Sequence, residues 1–134
     1  MHKDAAKVEI EKRMVSGESL VGFFLAQKRP PIWMFFVLGP LAAIGFKYYY
    51  VGVTNRGVHF HRVNLLDKFA QHDFFAFNEI REIKIGKGFI QIPMKYTFAN
   101  GTSLKIRAQK VGVEAVAKAD DKTVAYLNGH AKAA

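Results

Sequence analysis

Residues 90–98, IQIPMKYTF, decide the fold class. Ile90, Ile92, Met94, Tyr96 and Phe98 alternate with Gln91, Pro93, Lys95 and Thr97. A period of two is that of a strand with one face in a core, because successive side chains point to opposite faces. Pro93 has no amide hydrogen and so points to an edge or a bulge. Asn100-Gly101 then gives a strong hairpin signal. Leu104, Ile106 and Ala108 continue the buried face, with Lys105 and Arg107 outside.

Working back from this hairpin, IREIKI (80–85) and FAQHDFFAF (69–77) read as strands, and residues 64–68 as a turn. YYYVGVTNRGVHFHR (48–62) reads as another hairpin, with Asn55-Arg56-Gly57 as its turn and Gly57 as the source of a positive φ. LVGFFLAQ (20–27) is a first strand. Residues 4–15 suggest a short helix capped by Asp4. Residues 111–128 read as helical, with Val113, Val116, Val124 and Leu127 apolar, and Asp120-Asp121 splits that stripe into two short helices. About seven hairpin-connected strands and a terminal helix predict a small barrel or sandwich with the helix at an open end.

The chain has 134 residues, which favours one domain. The expected division is a helical extension over 1–17 and a β domain over 18–129, with an apolar insertion at 30–47 between the first two strands. There is no cysteine, which excludes disulfides, thiolate metal sites and cysteine nucleophiles. Ser16, Ser19 and Ser103 are the only serines, and none stands in a nucleophile elbow. The net charge is +9, which suits nucleic acid, an anionic membrane face or an acidic protein. Single-strand binders stack bases on exposed aromatics, whereas Tyr96 and Phe98 belong to the buried face, so nucleic acid is disfavoured.

Ile32 to Phe46 is 15 residues without a charge, flanked by Lys28, Arg29 and Lys47. It is short for a spanning helix, which needs about 20 apolar residues, and Gly39-Pro40 interrupts it. One reading makes it a membrane-inserting loop. Trp33, Met34, Phe35, Phe36, Val37 and Leu38 would enter the acyl boundary while the flanking cations meet headgroups. The alternative packs it into the core or a subunit interface, and the protein is then an interaction or oligomerisation module. Lys95, Lys105 and Arg107 would share one solvent face, able to bind anions or simply to keep strand edges from aggregating. His59 and His61, alternate residues of one strand, are weak candidates for a metal with His72 as a third ligand. No cofactor is expected. Met1–Arg13 is charged, and no apolar stretch with a cleavage site follows directly, so a cytoplasmic protein, peripheral at the inner membrane, is expected.

These stretches also carry a resemblance. YYYVGVTNRGVHFHR resembles the Thr-Asn-x-Gly hairpin of bacterial pleckstrin-homology-like domains, whose relatives include the GRAM domains. FNEIREIKIGKG and FANGTSLKI are similar to the later strands and the Asn-Gly hairpin of that family, and the likeness spans about residues 18–128. It implies a seven-stranded, two-sheet barrel closed by a C-terminal helix, a binding module without catalysis. In the eukaryotic family the connection between the first two strands binds phosphoinositide headgroups through spaced basic residues. Here that connection is the apolar run, with Lys28, Arg29 and Lys47 at its edges.

Overall fold

The computed structural model describes residues 3–28, 32–39, 47–63, 69–111 and 117–130. Helix α1 (Lys3–Glu11) precedes β1 (Leu20–Lys28). A two-turn helix α2 (Ile32–Leu38) follows, then β2 (Lys47–Thr54), β3 (Gly57–Val63) and β4 (Phe69–Ala76). A 3₁₀ turn (Phe77–Glu79) leads into β5 (Ile80–Ile85), β6 (Gln91–Phe98), β7 (Ser103–Gln109) and α3 (Asp121–His130). The fold is mainly β, as expected, with a short helix before the strands and a longer one after them. The expected turn at 64–68, the residues 40–46, Arg29, Val113 and Val116 lie outside the described residues.

The seven strands pair antiparallel in the order β4-β3-β2-β1-β7-β6-β5. Their sheet curls into a half-barrel. Its two halves join where β1 meets β7, at Ala26–Ala108 and Gln27–Arg107. Phe60 of β3 lies edge-on to Tyr96 of β6 at 5.1 Å, and Phe75 of β4 stacks on Phe98 of β6 at 3.9 Å. These aromatics pin the two halves together across the concave side, where Phe24, Val51, Val53, Ile83, Met94 and Leu127 complete the core.

The alternation in β6 holds from Ile92 onward: Ile92, Met94, Tyr96 and Phe98 are buried. Ile90, expected on the same face, precedes the strand and is exposed, because the chain is still in the loop from Gly86. Pro93 does not mark an edge. β6 lies between β5 and β7, and Pro93 pairs with Arg107. Its carbonyl accepts from the Gly86 amide at 2.8 Å, so its nitrogen also faces β5, just past the last β5 pair at Ile85–Met94. Only a terminal rung is lost.

Gly57 does not supply a positive φ. A Cβ there would collide with the Phe75 carbonyl and lie 2.7 Å from the Ala76 Cα, so glycine is required for the close approach of β4. At Gly22 a Cβ would meet the Thr123 side chain, its Cβ at 2.7 Å, and this contact seats α3 against β1. Of the helical stretch expected over 111–128, residues 112–116 lie outside the described residues, and α3 covers the part from Asp121. Residues 117–120 form no regular structure, and the Ala119 amide donates to the Gln109 carbonyl at 2.7 Å. Asp120 caps α3, its carboxylate accepting the Thr123 amide at 2.7 Å. Helix α1 packs on the convex side over β2 and β3, where Ala6 and Ile10 cover Tyr50 and Val63.

Candidate functional site

The apolar run between β1 and β2 emerges as α2. Gly39 follows it at φ 55°, the left-handed conformation that ends helices and that L side chains rarely adopt. The helix displays its apolar side chains to solvent: Trp33 is 61 % exposed, Phe36 85 % and Val37 71 %, with Leu38 also exposed. These four do not join the core, so the core version of the alternative reading does not describe them. Side chains at Met34 and Phe35 are outside the described set. Among the described residues no helix is long and apolar enough to cross a membrane.

The sheet register places cations beside the root of this helix. Lys28 and Lys47 are cross-strand partners at the ends of β1 and β2. Arg107 pairs with Gln27, one residue before Lys28. Two residues along β7, Lys105 pairs with Lys95, which pairs in turn with Lys84 of β5. Lys105 and Arg107 are exposed and Lys95 half-buried, opposite in face to the buried Met94, Tyr96 and Ile106. Strands lie about 4.8 Å apart, so Lys84, Lys95 and Lys105 form a row roughly 10 Å long. Glu82, 3.8 Å from Lys84, is its acidic neighbour. Like charges directly opposite one another destabilise a sheet. Edge protection does not account for Lys95 and Lys105, because β6 and β7 are interior strands; only Lys84 stands on an edge strand, β5. Lys84, the end of the row, is not among the anion-binding residues expected from sequence, because strand register is invisible before the β5–β6 pairing is known.

The histidines form a second constellation. The Glu18 carboxylate is 1 % exposed and accepts from the Thr54 hydroxyl (2.6 Å), the Val15 amide (3.0 Å) and His59 Nε2 (2.8 Å). Arg56 lies 3.9 Å away. His59 Nδ1 is 3.0 Å from His72 Nε2, and His72 Nδ1 is 3.3 Å from His61 Nδ1. His59 and His61 are fully buried beneath α1 and the segment after it, and Phe74 packs on the His59 ring. Burial alone would push the Glu18 carboxyl up. The hydrogen bonds from Thr54, His59 and Val15 outweigh it and hold the group below its ordinary value. Burial lowers His61. It pushes His72 down to about 4, with charge on His59 and Arg13 adding to the effect.

Sequence reasoning places His59, His61 and His72 together, and the structure brings them together. It misses Glu18, which is 41 residues from His59 and whose only local signal is its place just before β1. Five of the six ring nitrogens, all but His61 Nε2, are committed to one another and to Glu18 in a line. Among the described residues no group of three His, Asp or Glu side chains is arranged to hold a metal ion.

No family model matches the chain, and no curated protein does. Among solved structures it is similar to the hSac2 domain from the human phosphoinositide phosphatase Sac2. The TM-score is 0.56 and the identity 11 %, over 95 % of this chain and 77 % of that one. At that identity the likeness is one of fold alone: a curled antiparallel sheet of seven strands followed by a helix.

Proposed function

We propose that the chain is a non-catalytic module of the bacterial pleckstrin-homology-like kind that attaches peripherally to the cytoplasmic face of an anionic membrane. The exposed apolar face of α2 carries this reading. A folded chain of this size gains nothing by holding Trp33, Phe36, Val37 and Leu38 in water, and grouped exposed apolar side chains mark interaction sites. Full burial of such side chains is worth about 1.5–3 kcal/mol each. Lys28, Arg29 and Lys47 flank the helix in sequence, and Arg107, Lys105, Lys95 and Lys84 continue the positive charge across the sheet. Near an anionic surface each contributes about 1 kcal/mol. Two weak signals together give an anchor where one alone is marginal. The similar fold of a domain from a phosphoinositide phosphatase is consistent with work at a lipid surface.

The test is co-sedimentation with vesicles of anionic or neutral lipid at low and high salt, with Trp33, the only tryptophan, as reporter. Salt-sensitive binding to anionic vesicles with a blue-shifted Trp33 emission is expected. Failure to bind either vesicle, together with a discrete oligomer in solution, would make α2 a subunit interface instead.

A further inference from the structure

We propose that the line Glu18–His59–His72–His61 is a proton-operated latch, which holds α1 and the segment 12–19 on the convex face of β2–β4 and releases them when the line takes up a second proton. Donors and acceptors set how the line is occupied. Glu18 Oε2 can only accept, so His59 Nε2 carries a hydrogen toward it. In a neutral His59 the other nitrogen, Nδ1, then accepts, so His72 donates from Nε2. His72 Nδ1 accepts in its turn, and His61 donates from Nδ1. One carboxylate thereby sets three tautomers, and each contact has one hydrogen and one lone pair.

A first proton can be accommodated. Placed on His59 it faces the Glu18 carboxylate at 2.8 Å, and His72 and His61 reverse their tautomers so that every contact keeps one donor. A second proton cannot. It puts two imidazolium rings in one three-ring line, and at one contact two N–H groups point at each other with no lone pair between them. The surroundings do not relieve this. Arg13, just after α1, and Arg56, from the β2–β3 turn, add positive charge, and Glu9 of α1 is already engaged by Lys12 and Arg13. The positions of His61 and His72 below the ordinary histidine range agree with resistance to the second proton.

What lets go is set by what Glu18 ties down. It holds Val15, Thr54 and His59 together, and Asn55 binds the neighbouring Ser19 amide (2.8 Å) and Gly17 carbonyl (3.2 Å). α1 lies just upstream, seated by Ala6 and Ile10 on Tyr50 and Val63. β5–β7 take no part. Opening therefore removes the N-terminal cover and uncovers the aromatic convex face around Phe23 and Tyr50, stacked at 5.5 Å, while the core strands stay paired.

The test is amide hydrogen exchange on the full chain between neutral pH and about pH 4, each rate referred to the unstructured chain at the same pH. Protection over residues 6–19 should fall about tenfold or more in a step steeper than one proton, while β6 and β7 keep theirs. His72→Gln supplies one donor and one acceptor but takes no proton, so it should move the step to lower pH. Loss of protection at β6 and β7 in the same step would overturn the latch, as would retained protection at 6–19 throughout or a step unmoved in His72→Gln. Should that variant not fold, the wild-type comparison of 6–19 with β6–β7, with the three imidazoles followed by NMR, still decides.

Discussion

Phe36→Ala separates the three places where the apolar helix can belong. Phe36 is 85 % exposed, so nearly all of its transfer free energy is still unspent in the folded chain. Moving a phenylalanine out of water is worth about 2–3 kcal/mol, and alanine keeps a small part of that, so the substitution removes about 2 kcal/mol of membrane affinity. At about 1.4 kcal/mol per factor of ten, the partition coefficient onto anionic vesicles should fall roughly 30-fold. The folded state loses almost no contact, and the midpoint of urea unfolding should not move. A core phenylalanine behaves oppositely: truncation costs about 3–5 kcal/mol of stability. The assay is therefore paired, vesicle titration by Trp33 emission and urea unfolding on the same variant. A large drop in stability, or unchanged partitioning, refutes the reasoning. A change in solution mass with no vesicle effect assigns the helix to a subunit contact.

Other substitutions read other parts of the structure. Lys95→Gln relieves like charges on both sides and should raise stability by a few tenths of a kcal/mol. The same change should weaken binding to anionic vesicles by about 1 kcal/mol, so denaturant midpoint and vesicle affinity move in opposite directions. Gly22→Ala drives a methyl group into Thr123 and should cost about 1–3 kcal/mol by denaturant unfolding. Restoring space with Thr123→Ala in the same chain should recover part of it. Asp120→Ala removes the cap of α3 and should cost about 1 kcal/mol. Acid should destabilise the chain through His72. Its folded value, about 4, lies below the ordinary 6.5, so the unfolded chain binds the proton first and stability is lost as pH falls from 6.5 toward 4. Because the ring is only partly buried and water screens it, the loss is about 1–2 kcal/mol rather than the full value of the shift. His72→Gln should flatten that part of the stability–pH curve.

The half of the molecule most legible in sequence is the half that buries one face. β6 and β7 alternate because only their concave side meets the core, so hydrophobic period, hairpin turn and outward lysines are all readable. β3 has no such pattern. Its residues 57–61 are buried on both sides, by the core within and by α1 without, so GVHFHRV shows no contrast between an inner and an outer face. The histidines read as candidate metal ligands because nothing local records that a helix from the start of the chain covers them. Pro93 misleads for a related reason. The rule against proline in central strands assumes a full ladder on both sides, and here β5 has already ended. Asp120-Asp121 is legible as a helix start, but the irregular stretch at 117–119 before it is not. Its alanines favour helix, and the hydrogen bond from the Ala119 amide to the Gln109 carbonyl that holds it is tertiary.

The convex face is where the two proposed functions divide. Its β2–β4 half is dressed by α1, and beneath that cover lie polar groups that titrate. On its β5–β7 half Lys84, Lys105 and Arg107 are exposed, and lysine stands opposite lysine. A sheet needing only stability would place neutral or opposite charges there, as cross-strand pairs of opposite sign contribute where like pairs cost. Retaining the row makes sense if an anionic surface supplies the missing countercharge, and the same surface accepts the apolar helix that rises beside Lys28. The two halves meet at β1, whose far end carries α2 and whose near end follows Glu18. Release of the N-terminal cover by acid, as proposed, would thus change the segment leading into the strand that bears α2. Vesicle binding by Phe36 and Trp33, measured across the pH step in residues 6–19, therefore tests for coupling between them. An affinity that changes at the step in the wild type but not in His72→Gln couples latch and anchor through β1. An affinity that follows only the net charge of the chain leaves them independent.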